Sequence, residues 1–575
     1  MKQKEWKILV VDEFAMKFLS TCFKTEEIFA YNIALIEHLE QFREPLIYFS
    51  AIYLLYGTTE SVDLLKSDLI THATMYKSAH LFFLSPVEDE VFENICEYSN
   101  IGFVETFKEV GIMFIPCESQ VFSLDDRIFF SSFFDVCYEL NMNHVKEIAK
   151  KIVSLCSTLG VIPLIRYRRA FIKNLILAQA VQQELKEYEN FSSANSRNES
   201  DVQCQFLVLD RGFDCISPLV HEFTFQAMAY DILNINDDVY AKNLSNSSET
   251  STTTKKEDSL PISLTEDDET WCRLRHEHIA NVGKALDSMK YGIILARASE
   301  SHPRLQKLPE LGDAVRKHLI THRNVSLDNF RSIAGECMTL FCRGLNILAE
   351  MEQSLALGKS AEDKPITNSI LPDLMNILAS KSYETNEKLR VLLLYIFFKK
   401  GIPKQIFFDI LSKADLSFTD VYPITNALHL DIDIFRPGKC NALDDIPEAE
   451  DTDEGPGSDI SFKQSRWVPL VKTVMLRCIQ GELSHDLYPF LEGGSEEPLL
   501  KGGHSRSWCA DGKREDASKL IFYIVGGVTY SEMRCAYEVM KMYPEWDIFI
   551  GGDTLITPNE FLERLGGLSR FFGNT

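Results

Sequence analysis

The chain has little positive charge for its size, no long apolar run and no cysteines in paired spacing, and each absence removes a class of function. Its 59 lysines and arginines face 84 aspartates and glutamates, a formal net charge of −25 at pH 7. Nucleic acid demands a cationic face, so no nucleic-acid partner is expected. Anionic lipid surfaces are disfavoured for the same reason. The longest apolar run, Val391 to Phe398, lies between Arg390 and Lys399. It falls far short of the roughly 20 residues that span a bilayer, so no direct membrane insertion is expected. The opening MKQKEWKILVVDEF has no apolar region before a small-residue cleavage site, and no secretory signal is expected there. The 14 cysteines are scattered as in a reducing cytosol, where sequons such as Asn243-Leu244-Ser245 would stay unused.

The motifs of catalysis are missing as well. After the first strand pattern a dinucleotide site would need a glycine-rich turn, so that backbone could approach the pyrophosphate. The chain has Asp12-Glu13-Phe14-Ala15-Met16-Lys17 instead, a carboxylate pair that repels phosphate. Neither G-x-x-x-x-G-K-[ST] nor G-x-S-x-G occurs. His276-Glu277-His278 places its histidines two apart, whereas a zinc-binding helix uses four. No cofactor, metal or catalytic residue is predicted.

What is present is an α/β pattern interrupted by helices. A chain of 575 residues is too long for one core and implies three or more domains. Apolar runs predict strands at Lys7–Asp12, Pro45–Leu55, His80–Leu84 and Gly111–Pro116, with helices between them such as Ser61–Leu69. Helices follow at His144–Leu159 and Ala170–Tyr188, then a polar loop at Asn190–Gln203. Residues 241–260 read as an exposed insertion and 271–430 as mainly helical, with Leu389–Phe398 apolar all round and therefore buried. Pro309 interrupts Arg304–Thr321 and predicts a bend there. Asp444–Asp459, with eight acidic residues and two prolines, reads as a solvated loop. The end returns to strands at Leu520–Gly527 and Trp546–Gly551, after a polar connection at 492–518. The Gly526-Gly527 pair admits two readings, an anion cradle or tight strand-to-helix packing.

The most informative stretch is Phe206–Leu233. Phe206–Asp210 predicts a buried strand, and Ser217-Pro218 a helix start with Leu219, Phe223, Ala227 and Tyr230 on one face. Asp210, Arg211, Asp214, His221 and Glu222 crowd the junction. They read as a polar hinge at a domain boundary, its charges paired with one another. An α/β hydrolase-like enzyme using Asp210, Asp214 and His221 is the alternative, since a fold alone does not fix function.

This stretch, DRGFDCISPLVHEFTFQAMAYDIL at 210–233, resembles the signature of the SM (Sec-one/Munc-eighteen-like) family of syntaxin-binding proteins. Further motifs in the same order are EWKILVVD at 5–12, REP at 43–45, ESQVFSLD at 118–125 and IRYR at 165–168. LRHEHIA at 274–280, EKLRVLLLYIFFKKGI at 387–402 and IVGGVTYSEMRCAYEV at 524–539 complete the set. The last is most similar to the exocytic branch; a subunit of a vacuolar or endosomal tether complex is the alternative within the family.

The resemblance implies a three-domain arch, two parallel-sheet α/β domains plus a mainly helical domain inserted into the second. The corresponding boundaries are 1–112, then 113–222 with 463–575, and 223–462, the last divided at 340/341. It further implies a cytoplasmic, monomeric, non-enzymatic chaperone, recruited to the plasma membrane by syntaxin, that templates SNARE assembly with a vesicle SNARE. Its inner face would use Asp12, Met16, Lys17, Lys24 and Glu37. An outer pocket for the syntaxin N-terminal peptide would use Val87, Phe92, Val104, Phe107 and Glu109, with Phe107 and Val87 where family members often carry Leu and Cys. Pro309 would mark a helical switch.

Overall fold

In this computed structural model the described residues are 5–70, 75–87, 89–98, 103–193, 204–233, 235–241, 261–300, 310–360, 362, 364–366, 370–435, 465–491 and 517–569. The first unit opens with KILVV, β1 (Lys7–Val11), a run whose last four residues are buried. A strand covered on both faces needs apolar residues at every position, which is why this one reads continuously. Asp12 stops it and caps α1 (Glu13–Cys22), accepting from the Ala15 backbone N–H. Then come α2 (Thr25–Ala30), β2 (Ile33–His38), β3 (Ser50–Leu55), α3 (Thr59–Ile70), β4 (Ala79–Phe83), α4 (Asp89–Tyr98) and β5 (Val104–Glu109). The five strands form one parallel sheet in the order β2-β1-β3-β4-β5.

Two expectations need correction here. The third-strand pattern starts at Ser50 instead of Pro45, and Gly111–Pro116 is not one strand. The sheet's outer strands are β2 and β5, neither read from the sequence, because an edge strand is half solvated and lacks a continuous apolar run.

The second sheet is assembled from distant pieces. β6 (Ile115–Glu118) and β7 (Val121–Ser123) form a hairpin, followed by α5 (Phe129–Phe134), α6 (Met142–Thr158), β8 (Leu164–Tyr167), α7 (Ile172–Ser193) and the wholly buried β9 (Cys204–Asp210). After β9 the chain enters the helical region. It comprises α8 (Phe225–Ile232), a small sheet of β10 (Ile235–Asn236), β11 (Val239–Tyr240) and β12 (Ile262–Ser263), then α9 (Glu269–Leu274), α10 (Ile279–Glu300) and α11 (Glu310–Leu340). It continues with α12 (Asn346–Leu357), α13 (Ile370–Ala379), α14 (Thr385–Phe398), α15 (Lys404–Ala414) and α16 (Tyr422–Asn426). As its composition requires, α14 is buried from Lys388 through Phe397.

Then α17 (Leu470–Gln480), β13 (Ser518–Val525), β14 (Val528–Thr529), α18 (Tyr530–Met542), β15 (Trp546–Gly552), β16 (Leu555–Ile556) and α19 (Pro558–Gly566) close the second unit. The six-stranded order is β6-β7-β15-β13-β9-β8, parallel except for β6, so the pieces around 206–210 and 520–551 do share one sheet. Among the described residues no helix is long and apolar enough to cross a membrane.

A π-helical turn, Phe341–Leu345, joins α11 to α12 and contains Gly344 at φ 129° and ψ −8°. Only glycine adopts that backbone freely. The Tyr383 hydroxyl donates to its carbonyl at 3.1 Å, holding the kink from outside. Pro309 and the acidic segment 444–459 lie outside the described residues.

The junction after β9 departs from expectation in two ways. No helix starts at Ser217. The Asp214 carboxylate collects the backbone N–H groups of Ile216 and Ser217 and the Ser217 hydroxyl, folding a turn, and α8 begins only after Thr224. Nor are the junction's charges paired mainly with one another. Arg211, fully buried, meets Glu532 through two hydrogen bonds of 2.6 and 2.9 Å, across 321 residues of chain. Its remaining donors reach the Asp214 carbonyl and the Gly527 carbonyl, so all five are satisfied. Asp210 accepts from Arg168 and Asn174. Breaking a buried pair on one side strands the other charge at a cost of about 3–5 kcal/mol. Arg211→Met and Glu532→Gln are therefore each expected to lower the urea midpoint strongly. The double variant should lose clearly less than the sum of the two, read by tryptophan fluorescence.

Candidate functional site

The five residues expected to form an outer pocket come together. β5 supplies Val104, Phe107 and Glu109, α4 supplies Phe92, and the turn after β4 supplies Val87. The Phe107 ring sits between Phe83, 5.4 Å away, and Phe92, which meets it edge-on at 4.9 Å. Val87, Val104 and Phe107 are half-buried against the core of the first sheet, while Phe92 is 43 % exposed. The Glu109 carboxylate accepts the Val87 backbone N–H at 2.8 Å, joining strand edge to turn. An aromatic floor, an exposed ring and a carboxylate rim suit a short peptide carrying an apolar anchor and a cation.

The expected inner-face residues divide by role. Asp12 is not available as a surface contact: it is 2 % exposed, and besides capping α1 it accepts from Tyr56 N–H at 2.7 Å and the Ser61 hydroxyl at 3.0 Å. Met16 is half-buried against the same layer. Lys17 pairs with Asp125 at 2.6 Å, tying the first unit to the second. Burial disfavours its ammonium, but Asp125 more than offsets this and leaves its pKa above the ordinary value. Lys24 lies 3.6 Å from Asp267, both about half exposed, linking the first unit to the helical region. Glu37 accepts the Tyr76 hydroxyl at 2.5 Å; burial first, then that bond, raises the Tyr76 pKa. Around β2 three aromatic rings stand in solvent, Tyr31, Phe42 and Tyr48, at 80 %, 93 % and 85 % exposure. Sequence reasoning missed them, because an apolar residue carries no mark of which side it faces.

The polar cluster at 210–222 is closed. Asp210, Arg211 and Asp214 are at most 1 % exposed and His221 is 4 % exposed. Asp214 also receives the Leu470 N–H, and His221 is held by Glu352 at 2.9 Å, so every partner belongs to the chain itself. Glu352 had no sequence signal, and Arg168 was marked only as the last residue of the IRYR motif, with no partner indicated. Glu532 did, as the fourth residue of the capping box Thr529-Tyr530-Ser531-Glu532. His276 and His278 fall in the turn between α9 and α10 instead of on a helix, with His276 packed on Tyr537. Among the described residues no group of three or more His, Cys, Asp or Glu could hold a metal.

The glycine pair is explained by both of its readings. A Cβ on Gly526 would lie 2.7 Å from Arg211 Cβ, so packing demands glycine there. Its N–H also cradles an anion, the chain's own Asp553, at 2.9 and 3.1 Å.

Such an assembly, with its polar junction buried and aromatic and charged side chains at one sheet's rim, has the form of a binding scaffold. The chain belongs to the Sec1 family, whose model matches residues 7–564. It is 28 % identical to the protein transport protein sec1 of Dictyostelium discoideum, over 97 % of this chain and 94 % of that protein. With the Schizosaccharomyces pombe protein of the same name it shares 26 % identity, over 97 % and 81 %. Among solved structures it is similar to the Unc18–syntaxin 1 complex from Monosiga brevicollis, with a TM-score of 0.79, 26 % identity, and 98 % of this chain covering 96 % of that one. The SM protein Vps45, solved with the Qa SNARE Tlg2, has the same fold at a TM-score of 0.78 and 19 % identity, over 99 % and 96 %.

Burial raises the Asp553 pKa to about 6, against the pull of the Gly526 N–H and Arg564. The native chain then holds a proton that the unfolded chain releases at lower pH. This stabilises the fold below the ordinary carboxylate range and is lost as pH rises through about 6. Relative to Asp553→Asn, which cannot ionise, the natural protein should gain melting temperature as pH falls from about 7 to about 4.5. A difference constant across that range would place the proton elsewhere.

Proposed function

We propose that this protein binds a syntaxin of the plasma-membrane type and regulates its entry into SNARE complexes during vesicle docking and fusion. The observation that carries the reading is the match over almost the whole chain to a relative solved with syntaxin 1 bound. The local chemistry supports it. Phe92 and Phe107 offer an anchor site for the syntaxin N-terminal peptide, and Glu109 sets a negative rim beside it. Lys17, Lys24, Glu37 and Met16 present mixed charge and one apolar side chain to a syntaxin helix, an arrangement that selects register and speeds encounter more than it tightens binding. Asp12 supports that face from beneath. The buried joint of Asp210, Arg211 and Asp214 fixes the sheet from which the helical region departs.

The same reading covers the finer points. The domains divide at 112/113, 222/223 and 462/463, Pro309 marks a switch in the helical hairpin, and a vesicle SNARE docks beside the syntaxin. The protein acts as a cytoplasmic monomer that syntaxin recruits to the plasma membrane.

Titration calorimetry against the cytosolic region of a plasma-membrane syntaxin tests it. One-to-one binding is expected. Phe92→Glu should weaken it about tenfold, and deletion of the syntaxin N-terminal peptide should abolish the difference between the two proteins. Lys24→Glu should cost a few-fold, more at low salt than at high. Binding indifferent to Phe92→Glu and to the peptide would remove the outer pocket, and no binding to any syntaxin would remove the function.

A further inference from the structure

We propose that a cleft between the helical region and the C-terminal helix α19 binds an arginine or lysine side chain presented by a short segment of a partner protein. The cleft has a volume of about 420 Å³, within the ~300–1,000 Å³ common for ligand sites. Three segments far apart in sequence line this open cleft: the start of α14, the loop before α16, and α19. Asn386 donates to Asn559 at 3.0 Å across it, so its walls are joined.

The lining has two parts. Leu389 and Leu562, each 2 % exposed, make an apolar floor beside Pro423. Asp420 and Glu563 stand at the rim; among the described residues no salt bridge to either is seen, although Arg564 lies near enough to Glu563 to act on its charge. The Asp420 carboxylate accepts from the Ser417 N–H and hydroxyl, which fixes its position without neutralising it. The N-terminus of α14 opens beside them, yet it is closed to anions. Glu384 and Glu387 form a reciprocal capping box that occupies two of its backbone N–H groups and sets two more carboxylates there, which disfavours an anion.

A site of this kind selects a cation with a carbon stem. Two rim carboxylates are too few for a calcium or zinc set. An apolar floor gives nothing to a hydrated ion but covers the methylenes of Lys or Arg while the head stays at the rim. No residue of the first sheet takes part, so the proposal stands apart from the syntaxin reading.

The probe is a dye-labelled Leu-Arg-Leu-Arg-Leu peptide, followed by anisotropy with the full chain at about 150 mM salt, where the diffuse field of the acidic protein is screened. Its Leu-Glu-Leu-Glu-Leu counterpart and spermine serve as comparisons. The arginine peptide is expected to bind and the glutamate peptide not to. Asp420→Asn with Glu563→Gln should weaken binding at least tenfold at an unchanged melting temperature. Asn386→Lys, an exposed change at the mouth, should do the same by placing a cation there. Spermine should compete only at more than tenfold higher concentration. No binding, binding unaffected by both variants, or displacement by spermine at equal concentration would each overturn the proposal.

Discussion

The structure turns on one buried ion pair. Arg211 follows β9, and Glu532 lies in the first turn of α18, with the whole helical region between them in sequence. The pair is shielded from water on all sides, so its attraction works at low dielectric, and the guanidinium leaves no donor unmet. Two desolvated charges gain little net stability over well-packed carbon. Their effect is selective: a neighbouring register would bury both unpaired, so only one alignment of β13 beside β9 is tolerable.

Other distant ties repeat the pattern around this joint. Asp214 receives the N–H of Leu470 and so positions α17, while the His221–Glu352 pair fastens the same segment to α12. Arg390, from the buried α14, reaches Asp231 and the Leu219 carbonyl. Groups that look catalytic in sequence are thus consumed in holding an inserted region to the sheet it interrupts. The side chains left facing solvent lie at the rims: Phe92 beside the edge strand β5, the aromatics around β2, and the half-exposed Lys24.

Legibility in sequence followed solvent exposure. Strands covered on both faces, β1, β9 and β13, were readable because burial demands apolar residues without interruption. The edge strands β2 and β5 were not, since half their residues face water and their pattern competes with helix and loop. Ser217-Pro218 has the form of a helix start, yet the Asp214 carboxylate, three residues earlier, engages the Ser217 hydroxyl that would cap it and takes the Ile216 and Ser217 N–H groups for a turn. Local pattern lost there to a nearer acceptor. Asp12 was legible as a residue of interest and illegible as a buried one, because its partners Tyr56 and Ser61 arrive from β3 and α3.

By itself the sequence determined the class of the protein: the α/β–helical–α/β order, the buried α14, the net acidic charge, and the motifs that carry the family resemblance. These depend on composition, periodicity and short spacings, which are local quantities. Tertiary structure alone decided that Arg211 pairs with Glu532 and Lys24 with Asp267, that Asp553 fills the glycine cradle, and that α14, α16 and α19 line an open cleft. Each joins residues tens to hundreds of positions apart. A charge seen in one dimension names a need for a partner, and only the folded chain determines which partner is within reach.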